Sequence, residues 1–343
     1  MNQSASAWQK AFLILAFLFG LAVLCLFVSD GQIKPDAQNA YYIGEQHPGY
    51  TWGFQRYGCL LALSVLLALA AAYLALGKGR SQGLLILPLL TLFLGLLFSR
   101  GLYYLSMLGF YMGKADVWAI FRLHEGGLSM SGALLGALMG LMLVYQKRKD
   151  TRLLHAAAVA LAVFVLLARL AEHAAGTGYG FDVEFSGWFA ILDLYGNLLR
   201  VWLIEALCAL VILVYLLMRN KKCPQAQDTQ VTVFFFLYGT TQVLMESLRT
   251  DRHMIWGFVK VQQIIAMLFA AGSLTLLVKR SGKPKRMLAA LAVSSLVAAL
   301  AFGLEKALDR LDVATALLYG LYTVLLAQYM AFAAWLVHKP GVR

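Results

Sequence analysis

The chain has 343 residues, a formal net charge of +12, 61% hydrophobic residues and only 13% charged residues. A soluble domain carries about a quarter charged residues, whereas apolar runs long enough to cross a bilayer recur here from end to end. That excludes a single water-soluble core and predicts an all-α, multi-pass membrane protein.

Ten spans are expected, over residues 10–28, 57–77, 85–108, 128–146, 153–173, 199–218, 231–248, 256–278, 287–304 and 313–337. Helices of this length cover roughly 30 Å of hydrocarbon at 1.5 Å per residue. The first follows Lys10 and reads as an uncleaved span, because its apolar run is long and no A-x-A site directly follows. The loop 29–56 is polar and aromatic and is expected to lie across the outer membrane surface, with Trp52, Phe54 and Tyr57 as an interface belt. The fourth span opens with "HEGGLSMSGALLGALMG", two glycines and two serines running into small residues. The fifth ends in Arg169, Glu172 and His173, at i, i+3 and i+4 on one face. The sixth carries Glu205 in its outer half. Along the seventh, Tyr238, Gln242, Glu246 and Arg249 recur at i, i+4, i+8 and i+11 and form one polar stripe. A basic linker, "KRSGKPKR", leads to two further spans, and the link between these, "EKALDRLD", reads as a short surface helix of alternating charge.

The positive charge follows the connectors, not a continuous face, which speaks for topology and not for nucleic acid. Seventeen basic residues fall on one side, among them Lys78, Arg80, Lys147, Arg148, Lys149, Arg152, Lys339 and Arg343, with only Asp150 and Asp228. The other side and the span interiors share 12 basic and 15 acidic residues. The positive-inside rule then predicts cytoplasmic termini. It makes loops 29–56, 109–127, 174–198, 249–255 and 305–312 extracytoplasmic. The four cysteines form no C-x-x-C pair, so neither a disulfide nor a metal site is expected, and no motif calls for a cofactor.

A charge inside a span is costly unless paired or hydrated, and is therefore a functional candidate. Here the candidates gather toward the outer ends of the spans. Two readings stand. One is a polar pocket in which arginine forks take a lipid phosphate and a nearby carboxylate fixes the arginine or acts as a base. The other is a set of interhelical salt bridges, with Glu172 and His173 interfacial and Arg249, Asp251, Arg252 and His253 in a solvated turn.

From about Tyr57 to Leu277, over seven spans, the chain resembles the prolipoprotein diacylglyceryl transferase family. "SRGLYYLSM" is similar to the family's G-A-R-L-x-Y-V, and "EGGLSMSGALLG" to its G-G-x-S-x-H-G-G-x-x-G. "ARLAEHAAGTGYG" is similar to G-R-x-G-N-F-x-N-G-E-x-x-G. "VWLIEALCAL" resembles S-Q-L-Y-E-A, and "LYGTTQVLMESLRTD" resembles Y-G-x-x-R-x-x-x-E-x-x-R. "WGFVKVQQIIAM" resembles the last motif, with Gln263 at its glutamine. The resemblance implies a core at 57–278, an added span and loop at 1–56, and a basic linker with two added spans at 279–343. It implies a bacterial cytoplasmic-membrane enzyme of lipoprotein maturation. Such an enzyme moves a diacylglyceryl group from phosphatidylglycerol to the lipobox cysteine thiol of a preprolipoprotein and releases glycerol phosphate. Arg169, Glu205, Tyr238, Glu246 and His173 are the implied catalytic set. Arg169, Arg249, Gly126, Gly127, Ser131, Gln242 and Glu172 are implied to hold lipid and phosphate. No oligomeric state follows.

The departures are specific. Ser131 stands at the family histidine, Gln242 at its second arginine, Glu172 at the signature asparagine and Thr177 at the signature glutamate. Relative to the family the pocket loses a cation and a titratable ring and has one carboxylate moved, so phosphatidylglycerol cleavage calls for a compensating cation, Arg200 or Arg249 turned inward. A homologue that binds phospholipid or uses another donor or acceptor is the alternative. A transporter fits less well, because no inverted repeat is seen and the cytoplasmic half is dry.

Overall fold

The structure, a computed structural model, describes residues 7–30, 40–43, 50–77, 86–107, 117–121, 127–193, 196–250, 254–280, 283–310 and 315–338. Gly126, Asp251, Arg252 and His253 lie outside the described residues, as do Lys78, Arg80, Lys339 and Arg343. The described helices are α1 (Ala7–Cys25), α2 (Arg56–Leu76), α3 (Ile86–Ser106), α4 (Met130–Arg148), α5 (Thr151–Ala175), α6 (Val201–Lys222), α7 (Gln230–Leu248), α8 (Val261–Lys279), α9 (Pro284–Arg310) and α10 (Thr315–His338). They fall on the ten expected spans. Among the described residues, α2 to α10 are long and apolar enough to cross a membrane, and the apolar run of α1, Lys10–Cys25, is shorter.

Three boundaries differ from the hydropathy reading. The chain leaves α1 at Cys25 and continues as strand β1 (Leu26–Asp30), although Leu26, Phe27 and Val28 are as apolar as the helix. Strands β2 (Ala40–Ile43) and β3 (Tyr50–Gln55) complete an antiparallel sheet in the order β1-β3-β2. The eighth span begins at Val261, not at 256. The preceding residues form a hairpin of Ile255–Trp256 with Val259–Lys260, turned by Gly257 at φ 67°. Hydropathy is blind to that left-handed glycine, which ends one element and starts another. Finally, "EKALDR" is no separate surface helix but the last turns of α9.

The chain divides into two compact units, Met1–Thr177 and Gly178–Arg343. In the first, α3 packs along α4 and α2 along α5. The α3–α4 contact is built on Gly132, Gly136 and Gly140, spaced four apart. A Cβ at Gly136 would stand 2.1 Å from the Leu94 carbonyl oxygen, and one at Gly132 2.5 Å from that of Phe98. Small residues let helix backbones touch where the hydrophobic effect no longer drives association. Ser129 caps α4 by accepting from the Gly132 amide at 3.2 Å. The α4–α5 turn passes through Lys149 at φ 55°, and Asp150 caps α5 by accepting from the Arg152 amide at 3.1 Å. The Arg152 guanidinium beside Asp150 holds its carboxyl below the usual carboxylate range.

In the second unit α7 lies along α8, and α9 and α10 pack onto this pair. Gly239 permits the α7–α8 approach, since a Cβ there would meet the Ala266 carbonyl oxygen at 2.4 Å. The core joins Phe236, Ala270 and Leu274 to Tyr322, Leu326 and Tyr329 of α10. Buried Tyr329 meets Ser294 of α9 at 2.7 Å, so the polar atoms of this core are paired. A three-stranded sheet, Asp182–Val183, Gly196–Leu199 and Ala190–Asp193, precedes α6.

Candidate functional site

Each unit contributes a polar cluster of its own. In the first unit the last turn of α5 holds Arg169 and Glu172, both buried, with Nη1 of the arginine donating to Glu172 Oε1 at 2.5 Å. Their i, i+3 spacing on one face makes the pair. The helix ends where Gly176, at φ 66°, donates its N–H to the carbonyls of Glu172 and His173. His173, expected on the same face as Arg169 and Glu172, is exposed.

The opening of α4 is locked to α3. Ser129 N donates to Ser99 O at 3.2 Å, and Ser99 Oγ donates to Ser129 O at 2.8 Å. Ser131 is fully buried. Gly127 adopts φ 68°, and a Cβ there would meet the Tyr103 ring at 2.5 Å and Arg100 Nη1 at 2.7 Å. Only glycine combines that backbone with that space. Arg100 is buried on α3, donates to Ile120 O at 3.2 Å and Gly127 O at 3.3 Å, and lies over the Tyr103 ring. Sequence reasoning passed over it, although a charge inside the span 85–108 was the signal.

The second unit carries the denser cluster. The seventh-span stripe points inward as expected. Gln242 donates through Nε2 to Glu205 Oε1 at 2.7 Å and to Glu246 Oε1 at 2.9 Å. Arg249 leaves the end of α7 in an extended conformation and reaches Glu205 Oε2 at 2.9 Å. An amide thus joins two carboxylates on α6 and α7, and one of these is paired with an arginine. Tyr238, one turn before Gln242, is buried and stacks on Phe234 at 5.7 Å. The Arg200 guanidinium donates instead to Trp188 O at 3.5 Å. The turn after α7 is anchored, because Gly180 pairs with Arg249 and Thr250 N donates to Tyr179 O at 3.0 Å.

Two residues absent from the expected set complete it. Lys260 extends its ammonium to the Glu246 carbonyl at 2.6 Å and to the Arg249 carbonyl. A cation at the C-terminal end of α7 meets the negative end of the helix dipole. Glu305, expected at the surface, accepts from Gln263 Nε2 at 2.7 Å. The signal for Lys260 was a charge within an expected span. For Glu305 there was none, because a carboxylate among alternating charges reads as solvated. Among the described residues no three His, Cys, Asp or Glu side chains gather as metal ligands.

The sequence model of the family described as prolipoprotein diacylglyceryl transferase matches residues 51–279, about two thirds of the chain. The chain belongs to this family. The ten helices among its described residues are therefore those of a multi-pass membrane protein in a family of transferases of lipoprotein biosynthesis. The matched stretch holds both polar clusters except Glu305. No curated protein matches the chain.

Proposed function

We propose that this chain transfers a diacylglyceryl group from phosphatidylglycerol to the lipobox cysteine thiol of a preprolipoprotein, at the outer face of a bacterial cytoplasmic membrane. The family-like core is 57–278, and 1–56 and 279–343 are additions to it. In the reaction the cysteine thiol loses its proton and its sulfur bonds the diacylglyceryl carbon that carries the phosphate ester. The carbon–oxygen bond breaks, and the electron pair leaves on glycerol phosphate.

The observation that carries this reading is the Arg249–Glu205–Gln242–Glu246 network, formed by the seventh-span motif in a chain of this family. Phosphate recognition in the second unit falls to Arg249, whose planar fork matches phosphate oxygens, and Arg169 is the corresponding fork of the first unit's own cluster. The cation missing at Gln242 is offset by Lys260, whose ammonium lies at the same end of α7. Among the carboxylates, Glu172 and Glu205 are each held by an arginine. Glu246 accepts from the Gln242 amide, and among the described residues no Arg or Lys side chain bonds its carboxylate. That makes Glu246 the group best placed to take the thiol proton, ahead of exposed His173. Tyr238, one turn before Gln242 on the same face, is buried and stacks on Phe234 of the same helix.

The test is to incubate the purified protein with phosphatidylglycerol micelles and a lipobox peptide and to follow the peptide by mass spectrometry. A diacylglyceryl mass increment that disappears in Arg169→Ala and Glu246→Gln is expected. A folded, lipid-binding preparation that yields no increment would refute the transferase reading. It would favour the second one, a phospholipid-binding homologue, which the neutral Gln242 at a cationic position supports.

A further inference from the structure

The two helices beyond the family match send side chains into the polar cluster. Glu305, near the end of α9, accepts from Gln263 Nε2 at 2.7 Å. This sets the orientation of the Gln263 amide. With Nε2 committed to Glu305 and to Val243 O at 3.3 Å, Oε1 faces the Lys260 amide and accepts from it at 3.1 Å. That bond caps α8 and fixes the backbone from which Lys260 extends. The Lys260 ammonium in turn ties the carbonyls of Glu246 and Arg249, the point where α7 ends and Arg249 turns to Glu205. From α10, Tyr319 donates to Ser247 O at 3.1 Å and stacks on Phe181 at 5.4 Å, bracing the same turn.

We infer that Glu305 is a positioning residue for the phosphate-binding Arg249, acting through Gln263 and Lys260, so that the added helices form part of the site. The inference rests on the transferase reading for its activity assay. A misplacement of about 1 Å in a catalytic constellation is enough to cost on the order of 100-fold in rate, and the first two links of this relay, Glu305 to Gln263 and Gln263 to the Lys260 amide, are single hydrogen bonds.

The experiment compares Glu305→Ala, Glu305→Gln and Arg249→Ala, and the double variant Glu305→Ala/Arg249→Ala, in the full-length protein. Two readouts are taken: diacylglyceryl transfer to a lipobox peptide, and retention of phosphatidylglycerol by native mass spectrometry. Glu305→Ala is expected to lower kcat/KM between about tenfold and 100-fold. Glu305→Gln, which keeps an acceptor for Gln263, recovers most of that loss. In the Arg249→Ala background the removal of Glu305 costs less than twofold more, because its effect runs through that arginine. A loss of equal size in both backgrounds would overturn the inference, since a merely structural role acts whatever stands at 249. If the wild type transfers nothing, the transferase reading fails, and phosphatidylglycerol retention carries the same comparison. Retention lost in Glu305→Ala and restored in Glu305→Gln supports the positioning role, and unchanged retention overturns it. Should Glu305→Ala fail to fold, Glu305→Asp, which withdraws the carboxylate by one methylene, takes its place.

Discussion

Removing Glu205 should expose how strongly the network is coupled. Its carboxylate lies 2.9 Å from Arg249 Nη1, and the two side chains are 2% and 8% exposed. Glu205→Ala leaves a buried guanidinium without that counterion, a loss that costs about 3–5 kcal/mol where a buried pair is broken from one side. Arg249→Ala strands the carboxylate instead. Its cost should fall toward the lower end, because Gln242 Nε2 still donates to Glu205 at 2.7 Å. The double variant removes both charges and the orphan with them, so its cost should be less than the sum of the single losses by about 1.5–3 kcal/mol. The measurement is reversible unfolding by SDS titration in mixed micelles, followed by helical circular dichroism, on the four proteins of the cycle. Additivity within about 0.5 kcal/mol would refute the reasoning. The pair would then be two separately solvated charges, and the claim that Glu205 holds Arg249 in place would fall.

Two further predictions test the packing. A Cβ at Gly136 would meet the Leu94 backbone at 2.1 Å, whereas one at Gly101 meets nothing within 4 Å. Gly136→Ala should therefore cost about 1–3 kcal/mol in the same SDS assay, while Gly101→Ala should be neutral or stabilise by up to about 1 kcal/mol through helix propensity. The Cys25 thiol neighbours that of Cys59 and lies 4.0 Å from Gly58 O, where α1 and α2 approach backbone to backbone. Mild copper-phenanthroline oxidation should link Cys25 to Cys59 and lower the protein mass by two hydrogens. A full complement of four alkylatable thiols after oxidation would show that these helix ends are apart.

Much of this was legible in the chain. The glycines of "GALLGALMG" read as a smooth helix face, and α3 packs on that face. The i, i+3 spacing of Arg169 and Glu172 and the seventh-span stripe read as same-face groups, and both sets make the bonds that spacing allows. Arg100 and Lys260 were visible as charges in spans but carried no motif of their own. Glu305 was misread because a helix end of alternating charge looks the same whether it meets water or a neighbouring helix.

The sequence by itself determined where the membrane helices lie. In hydrocarbon every backbone group must be bonded internally, and for a single apolar run of about 20 residues the helix is the structure that does so within the segment. Spacing on a helix likewise determined which polar residues share a face. Only the tertiary structure decided the partners. Gln242 meets Glu205 across 37 residues and Gln263 meets Glu305 across 42. Such pairings depend on which helices pack together and at what depth. Periodicity within one helix carries no information about that, and so the part of the added helices in this cluster emerged from packing alone.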